Sequence, residues 1–309
     1  MQEFGEFMEK KKSRWLFWVI VGSASFVLAV VTTVALLLYF LHDEGDSEFS
    51  FGSNKIGVIE LTGVIFDSKS WIEQLRRFAD NSAIKAIILR IDSPGGGVAA
   101  SQEVYNEVLR IRREKRKVIV SSIGSVGASG AFYIACGTDK IVANAASITG
   151  SIGVIAEWVN YGELLKWAKL KSVVLKSSEL KDAGSPVREL TEEEKKYLQN
   201  IIDDMYIQFV QVVAEGRKFD LERAKSFSDG RVYTGKDAKS KKLIDEIGSL
   251  QDAIRITAKM VKITGEPHLV YPARERTGLI ELFFRDASSV LPLGAALPDQ
   301  RIQFSYLWK

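Results

Sequence analysis

Ile84–Ile91 reads IKAIILRI and runs directly into Asp92-Ser93-Pro94-Gly95-Gly96-Gly97. An apolar run this short and continuous, rich in β-branched residues, suits a parallel strand covered on both faces. Parallel strands need crossover connections, and the flanking sequence supplies them. Ile56–Ile65 is strand-like, and Trp71–Phe78 has helical spacing at Trp71, Leu75 and Phe78. Val98–Arg113 has the same spacing at Val104, Val108 and Ile111. Val118–Ser122 and Lys140–Ala143 read as strands, Ala131–Cys136 and Val159–Leu170 as helices, and Ser172–Leu175 as a strand candidate. Thr191-Glu192-Glu193-Glu194 is a capping box opening a long helix to about Glu215. The alternation predicts an α/β fold with a mainly parallel sheet. Gly124–Gly130 and Thr149–Val154 read as loops and the tail beyond Pro267 as irregular, with an amphipathic stretch at Gly278–Phe284.

A second constraint lies ahead of this domain. From Trp15 to Leu41, 27 residues pass without an Asp, Glu, Lys or Arg. As a helix they span roughly 40 Å, more than the ~30 Å of a bilayer's hydrocarbon core. Trp15, Trp18 and Tyr39 lie near the ends, where amphipathic aromatics favour the interface. The run is too long for a cleaved signal peptide, and His42-Asp43-Glu44 follows it instead of a small-x-small site. Lys10, Lys11, Lys12 and Arg14 precede the run, and Asp43, Glu44, Asp46 and Glu48 follow it. The positive-inside rule then keeps the N-terminus cytoplasmic and the rest on the outer face of the membrane. The expected organisation is a cytoplasmic segment 1–14, a transmembrane helix 15–41, a tether 42–54, a folded domain 55–265 and a tail 266–309.

Composition removes several function classes. Lys+Arg number 42 and Asp+Glu 39, a net charge of +3 that gives no case for a nucleic-acid partner. The single cysteine, Cys136, forbids an intrachain disulfide and leaves a cysteine-based zinc or iron–sulfur site without ligands. Histidines are only two, His42 beside the apolar run and His268 in the tail. Neither is well placed for a Ser–His–Asp triad.

Two loops of tiny residues follow strands, where ligands gather in parallel α/β sheets. Gly95-Gly96-Gly97 frees backbone N–H groups for an oxyanion hole or a phosphate cradle, and equally suits a tight turn. It lacks the Gly-Lys-Ser/Thr of a Walker motif and the G-x-G-x-x-G of a dinucleotide fingerprint. In the second loop Ser129 stands between Ala128 and Gly130 at a strand-to-helix junction. That has the mechanics of a nucleophile elbow, although the literal G-x-S-x-G pattern is not met. A serine filling a small-residue helix contact explains the same residues. A nucleophilic Ser129 needs a base, and with histidine poorly placed the remaining option is a neutral lysine. Spacing alone selects none of the many lysines.

Several segments in combination resemble the bacterial S49 serine peptidases, the signal-peptide-peptidase family. They are the N-terminal apolar run, Asp92–Gly97, Gly127-Ala128-Ser129-Gly130-Ala131-Phe132-Tyr133, Thr149-Gly150-Ser151-Ile152-Gly153 and Lys181-Asp182-Ala183-Gly184-Ser185-Pro186. The resemblance runs from about Lys55 to Lys262. It implies a ClpP/crotonase-like fold of ββα units, preceded by one transmembrane helix. It implies Ser129 as nucleophile, Lys181 as general base and Ser151 as the hydroxyl orienting that lysine. Gly130 and a glycine of the 95–97 run, Gly95 or Gly96, would supply the oxyanion-hole N–H groups. Neither cofactor nor metal is implied. The chain matches the family's half-length form. That implies a homo-oligomeric ring of eight subunits in which Ser129 and Lys181 of one site come from adjacent protomers. The implied substrates are remnant signal peptides at the lipid bilayer of the bacterial cell membrane. Competing readings are a related S49 quality-control peptidase with other substrates, a crotonase-type acyl-CoA enzyme and a non-catalytic scaffold.

Overall fold

The computed structural model describes residues 18, 19, 21–34, 36, 54–272 and 303–308. Residues 1–51 and 52–309 form two separate units. In the first, 21–34 are helical. Among the described residues no helix is long and apolar enough to cross a membrane. The remainder of the expected span 15–41 lies outside the described residues, as do 1–14, the tether as far as 53, and Gly278–Phe284.

The second unit carries the α/β architecture. Its elements are β1 (Lys55–Thr62), α1 (Lys69–Asp80), β2 (Ile84–Ser93), β3 (Gly95–Gly97), α2 (Val98–Arg110), β4 (Val118–Ala128), α3 (Gly130–Cys136), β5 (Lys140–Ala143), β6 (Ile148–Gly150), β7 (Ile155–Glu157) and α4 (Gly162–Trp167). There follow α5 (Glu192–Arg217), α6 (Leu221–Lys225), β8 (Val232–Thr234), α7 (Gly235–Ser240), β9 (Glu246–Ile247), α8 (Leu250–Met260), β10 (His268–Val270) and β11 (Gln303–Leu307). The main sheet runs β10-β1-β2-β4-β5-β9 with every neighbouring pair parallel. β6 extends β4 in parallel and β8 lies antiparallel to β6.

Strand alternation sorts the apolar residues onto two faces. Ile59, Leu61, Ile87, Leu89, Ile91 and Ile123 point into the larger core with Leu75 and Phe78 of α1, Val104 and Val108 of α2 and Phe132 of α3. Ile56, Val58 and Ile88 pack instead on Ile254 and Ala258 of α8. This two-sided burial explains the unbroken apolar run of β2. Gly57 makes room for the core: a Cβ there would fall 2.3 Å from the Phe78 ring.

Four local expectations need correction. Gly124–Ala128 is not a loop but the second half of β4, because Val126, Gly127 and Ala128 gain ladder partners in Ile148, Thr149 and Gly150. The same pairing turns Ile148–Gly150 into strand. Ser172–Leu175 forms no strand: it finds no partner, and Val173 and Leu175 stay exposed. Among the described residues beyond Pro267 the tail forms strand rather than irregular chain, with β10 beside β1 and β11 between β3 and β7. Helix boundaries also tighten: the 159–170 helix is only Gly162–Trp167, and α2 ends at Arg110 before a π-helical turn, Ile111–Lys115. The capping box forms as expected, with Thr191 Oγ1 accepting from Glu194 N–H and Glu194 Oε2 accepting from Thr191 N–H.

Candidate active site

Three chain segments converge beyond the carboxyl end of β4. The strand passes into α3 through one residue, Ser129, with φ 55° and ψ −120°. A left-handed φ is costly for a residue with a Cβ, on the order of 1–2 kcal/mol. The surroundings hold it there. Ser129 N–H donates to Gly150 O at 2.7 Å, and Ser129 O accepts from Tyr133 N–H at 2.9 Å, opening α3. The buried α3 residues Ala131–Cys136 lock the helix below it. A strained turn of this kind presents a side chain at a helix N-terminus.

The Gly95–Gly97 segment approaches the same point. Gly95 has φ +97°, and a Cβ there would fall 2.6 Å from Gly130 N and 2.2 Å from Tyr306 O. A Cβ on Gly130 would lie 3.2 Å from Gly96 N and 2.4 Å from Ser101 Oγ. Side chains are therefore excluded from the point where the two glycine segments meet. Gly95 N–H donates to Ser93 Oγ at 3.1 Å, so an anion bound there would compete with that hydroxyl.

Ser151 supplies a second strained hydroxyl, with φ 50° and its N–H donating to Arg231 O at 2.8 Å. Ser129 and Ser151 line one cleft of about 560 Å³ with Ile152, Tyr206, Leu307 and Trp308. Ser129 is only 1% exposed. Among the described residues no imidazole lines this cleft: His268 lies on the edge strand β10, paired with Lys55.

Lys181 is elsewhere on the chain's surface. It is exposed on a single 3₁₀ turn, Glu179–Asp182, that buries no residue, and it is not among the residues lining the Ser129 cleft. The site residues expected from the sequence thus fall into two groups. Ser129, Ser151, Gly95, Gly96 and Gly130 come together within one chain, whereas Lys181 does not join them.

Sequence reasoning missed β11. This strand runs antiparallel between β3 and β7, pairing Leu307 with Gly95, Tyr306 with Gly96 and Ser305 with Ile155. Trp308 N–H donates to Pro94 O at 2.9 Å. Tyr306 is buried, its ring 5.3 Å from Tyr133 and 4.7 Å from Phe209, and its hydroxyl donates to Met205 O at 3.0 Å. The aromatic alternation of Phe304, Tyr306 and Trp308 was the available signal.

A nearly all-parallel α/β core that holds a strained serine beside two meeting glycine segments is the arrangement of a Clp-protease-like fold. Residues 55–149 match the Clp protease model, and 111–264 match the model of peptidase family S49. The chain is 31% identical to a putative protease of Methanocaldococcus jannaschii over 84% of its own length and 88% of that protein's. It is 32% identical to the putative signal peptide peptidase SppA of Enterococcus faecium, covering 82% of this chain and 83% of that one. A putative protease of Synechocystis is 43% identical over 64% of this chain and 72% of its own. The chain belongs to peptidase family S49 and is a serine protease.

Proposed function

We propose that this protein is a membrane-anchored endopeptidase that degrades remnant signal peptides with a Ser129–Lys181 dyad. Ser129 Oγ attacks the scissile carbonyl while neutral Lys181 Nζ accepts the hydroxyl proton. The oxyanion is bound by N–H groups of Gly130 and of Gly95 or Gly96, each donor being worth about 2.7–4 kcal/mol in the transition state. The tetrahedral intermediate collapses as Lys181 returns the proton to the leaving amine. Water, deprotonated by Lys181, then attacks the acyl-enzyme, and Lys181 returns that proton to Ser129 Oγ as the second peptide leaves. Ser151 orients the lysine.

The observation that carries this reading is β11. An extended segment lying antiparallel to Gly95–Gly97, with Leu307 and Trp308 in the Ser129 cleft, has the form of a bound peptide. The tail is therefore an internal competitor for the peptide groove. Lys181 reaches Ser129 of a neighbouring subunit in a ring of eight. The arm that carries it supports this arrangement, because Trp167 is 82% and Leu175 96% exposed in the single chain. The charge-free run 15–41 anchors the ring, with the catalytic domain on the outer face and close to apolar peptides in the bilayer.

Cleavage of a signal peptide in lipid vesicles by the full-length protein tests the whole reading. Ser129→Ala and Lys181→Ala should each abolish it, and mixed rings of the two variants should recover part of it. Full turnover without Lys181 would refute the dyad, and no recovery in verified mixed rings would refute sharing between subunits. Cleavage only of unfolded membrane-protein segments would redirect the substrate assignment to quality control.

A further inference from the structure

Lys181 sits on a turn with no core beneath it, so something other than apolar packing must hold it. The Asp182 side chain, one residue on, is the attachment point. Asp182 Oδ1 accepts from Lys176 Nζ at 2.9 Å and lies 3.0 Å from Arg188 Nη2. Asp182 Oδ2 accepts from Arg188 Nε at 3.3 Å, and the Asp182 carbonyl accepts from Arg188 Nη2 at 3.3 Å. The other edge of the same guanidinium donates to both oxygens of Glu194, at 2.5 and 2.8 Å. Glu194 is nearly fully buried and belongs to the capping box of α5, the 26-residue helix of the domain.

We infer that Arg188 is a positioning residue for catalysis, clamping the Lys181 turn to the N-terminus of α5 through Asp182 and Glu194. This inference rests on the reading of Lys181 as the base. A planar guanidinium is the side chain suited to the task, because it grips two carboxylates on separate edges and keeps its charge. Lysine offers a point charge and no fork. The charges are matched: the Arg188 hydrogen bonds hold the Glu194 carboxyl down at about 2. The Asp182 carboxyl is likewise held below its ordinary value, first by Lys176 and then by Arg188. Both partners thus stay ionised wherever a lysine base works. The clamp matters because a general base must come within hydrogen-bond reach of its proton, and a misplacement of about 1 Å costs on the order of 10²-fold in rate.

The test uses the full-length assembled protein and a fluorogenic peptide, with melting temperature and oligomeric state recorded for each variant. Arg188→Ala leaves buried Glu194 without its ion-pair partner and invites misfolding, so Asp182→Asn and Arg188→Lys carry the decision. Both keep a partner or a charge beside Glu194. Each should lower kcat by roughly 10- to 100-fold with KM within about twofold and an unchanged melting temperature. Where Arg188→Ala folds, millimolar guanidinium should restore part of its kcat and should restore nothing to Lys181→Ala. If Asp182→Asn and Arg188→Lys keep kcat within twofold while Lys181→Ala is inactive, the clamp is refuted and the dyad stands. If KM rises and kcat holds, Arg188 shapes the groove and the positioning role is refuted. If Lys181→Ala is itself active, the reading of the base fails first.

Discussion

Replacing Tyr306 by alanine should raise peptidase activity while loosening the structure. Truncating a fully buried aromatic typically costs about 3–5 kcal/mol. Here the ring stacks on Tyr133 at 5.3 Å and leans on Phe209 at 4.7 Å, and the hydroxyl bonds Met205 O. β11 is the last described strand and belongs to the small sheet, not to the main one. Tyr306 nevertheless belongs to the large core with Tyr133 and Phe209, so the prediction holds where β11 undocks with the parallel core intact and the loss falls on the docking equilibrium of the tail. At ~1.4 kcal/mol per decade, a loss of about 3 kcal/mol weakens docking roughly 10²-fold. If β11 and substrate share the groove, kcat/KM for an extended peptide rises by up to that factor, levelling off once the undocked form predominates. Tyr306→Phe removes only one hydrogen bond, worth about 1 kcal/mol, and should raise kcat/KM about fivefold. The assay is initial rate at low concentration of a fluorogenic peptide, with limited proteolysis reporting tail release. A synthetic peptide of residues 303–309 should inhibit Tyr306→Ala competitively. A released tail with kcat/KM within twofold of the native protein would refute the competition.

Three further outcomes are expected. Gly95→Ala should slow labelling of Ser129 by a fluorophosphonate probe at least 10²-fold, since its Cβ would press on Gly130 N at 2.6 Å and donor loss alone costs about 2.7–4 kcal/mol; labelling within threefold of native would clear Gly95 of the role. Glu107 is held at about 2 from an ordinary 4.5, chiefly by the Arg110 hydrogen bond and also by Arg76. Its folded pKa is depressed, so its contribution to stability is complete above about pH 4.5 and is lost as pH falls towards 2. Melting temperatures of Glu107→Gln should accordingly fall less steeply than native between those values, and parallel curves would refute the assignment. Trp167→Ser with Leu175→Ser should leave the far-ultraviolet spectrum unchanged yet dissociate the proposed ring and abolish turnover, as light scattering and the peptide assay would register; an intact ring would exclude the arm from the interface.

What the sequence made legible was whatever local pattern dictates. β2 was visible because both its faces are buried, and α5 because Thr191 and Glu194 cap it reciprocally. Ser129 stood out because a serine among residues with little or no side chain has few local reasons to be there. What stayed hidden depends on partners distant in the chain. Gly124–Ala128 has poor strand propensity and becomes strand only because β6 supplies a ladder. Ser172–Leu175 has good propensity and remains irregular for want of one. β11 lies more than two hundred residues from Gly95, so no window on the sequence could pair them. The Asp182–Arg188–Glu194 clamp is closer in sequence, but a run of alternating charges reads as a solvated face until Glu194 is seen to be buried.

The two halves of the proposed dyad differ in what supports them, and the difference has a consequence for regulation. Ser129 is held by buried α3, by Gly150 and by the central sheet, so its geometry is as rigid as the core. Lys181 rides on a turn fixed by ion pairs, on an arm whose apolar side chains lack cover within one chain. In the proposed ring, a strained nucleophile that waits for a neighbour to deliver the base would limit proteolysis to the assembled state. A tail strand in the groove then adds a second requirement, that substrate outcompete β11. Each requirement acts on a different element, so variants of the arm and variants of Tyr306 should affect turnover independently, their effects on log kcat/KM adding. Strong non-additivity would mean that tail release and assembly are one event, with the arm closing over the groove as β11 departs.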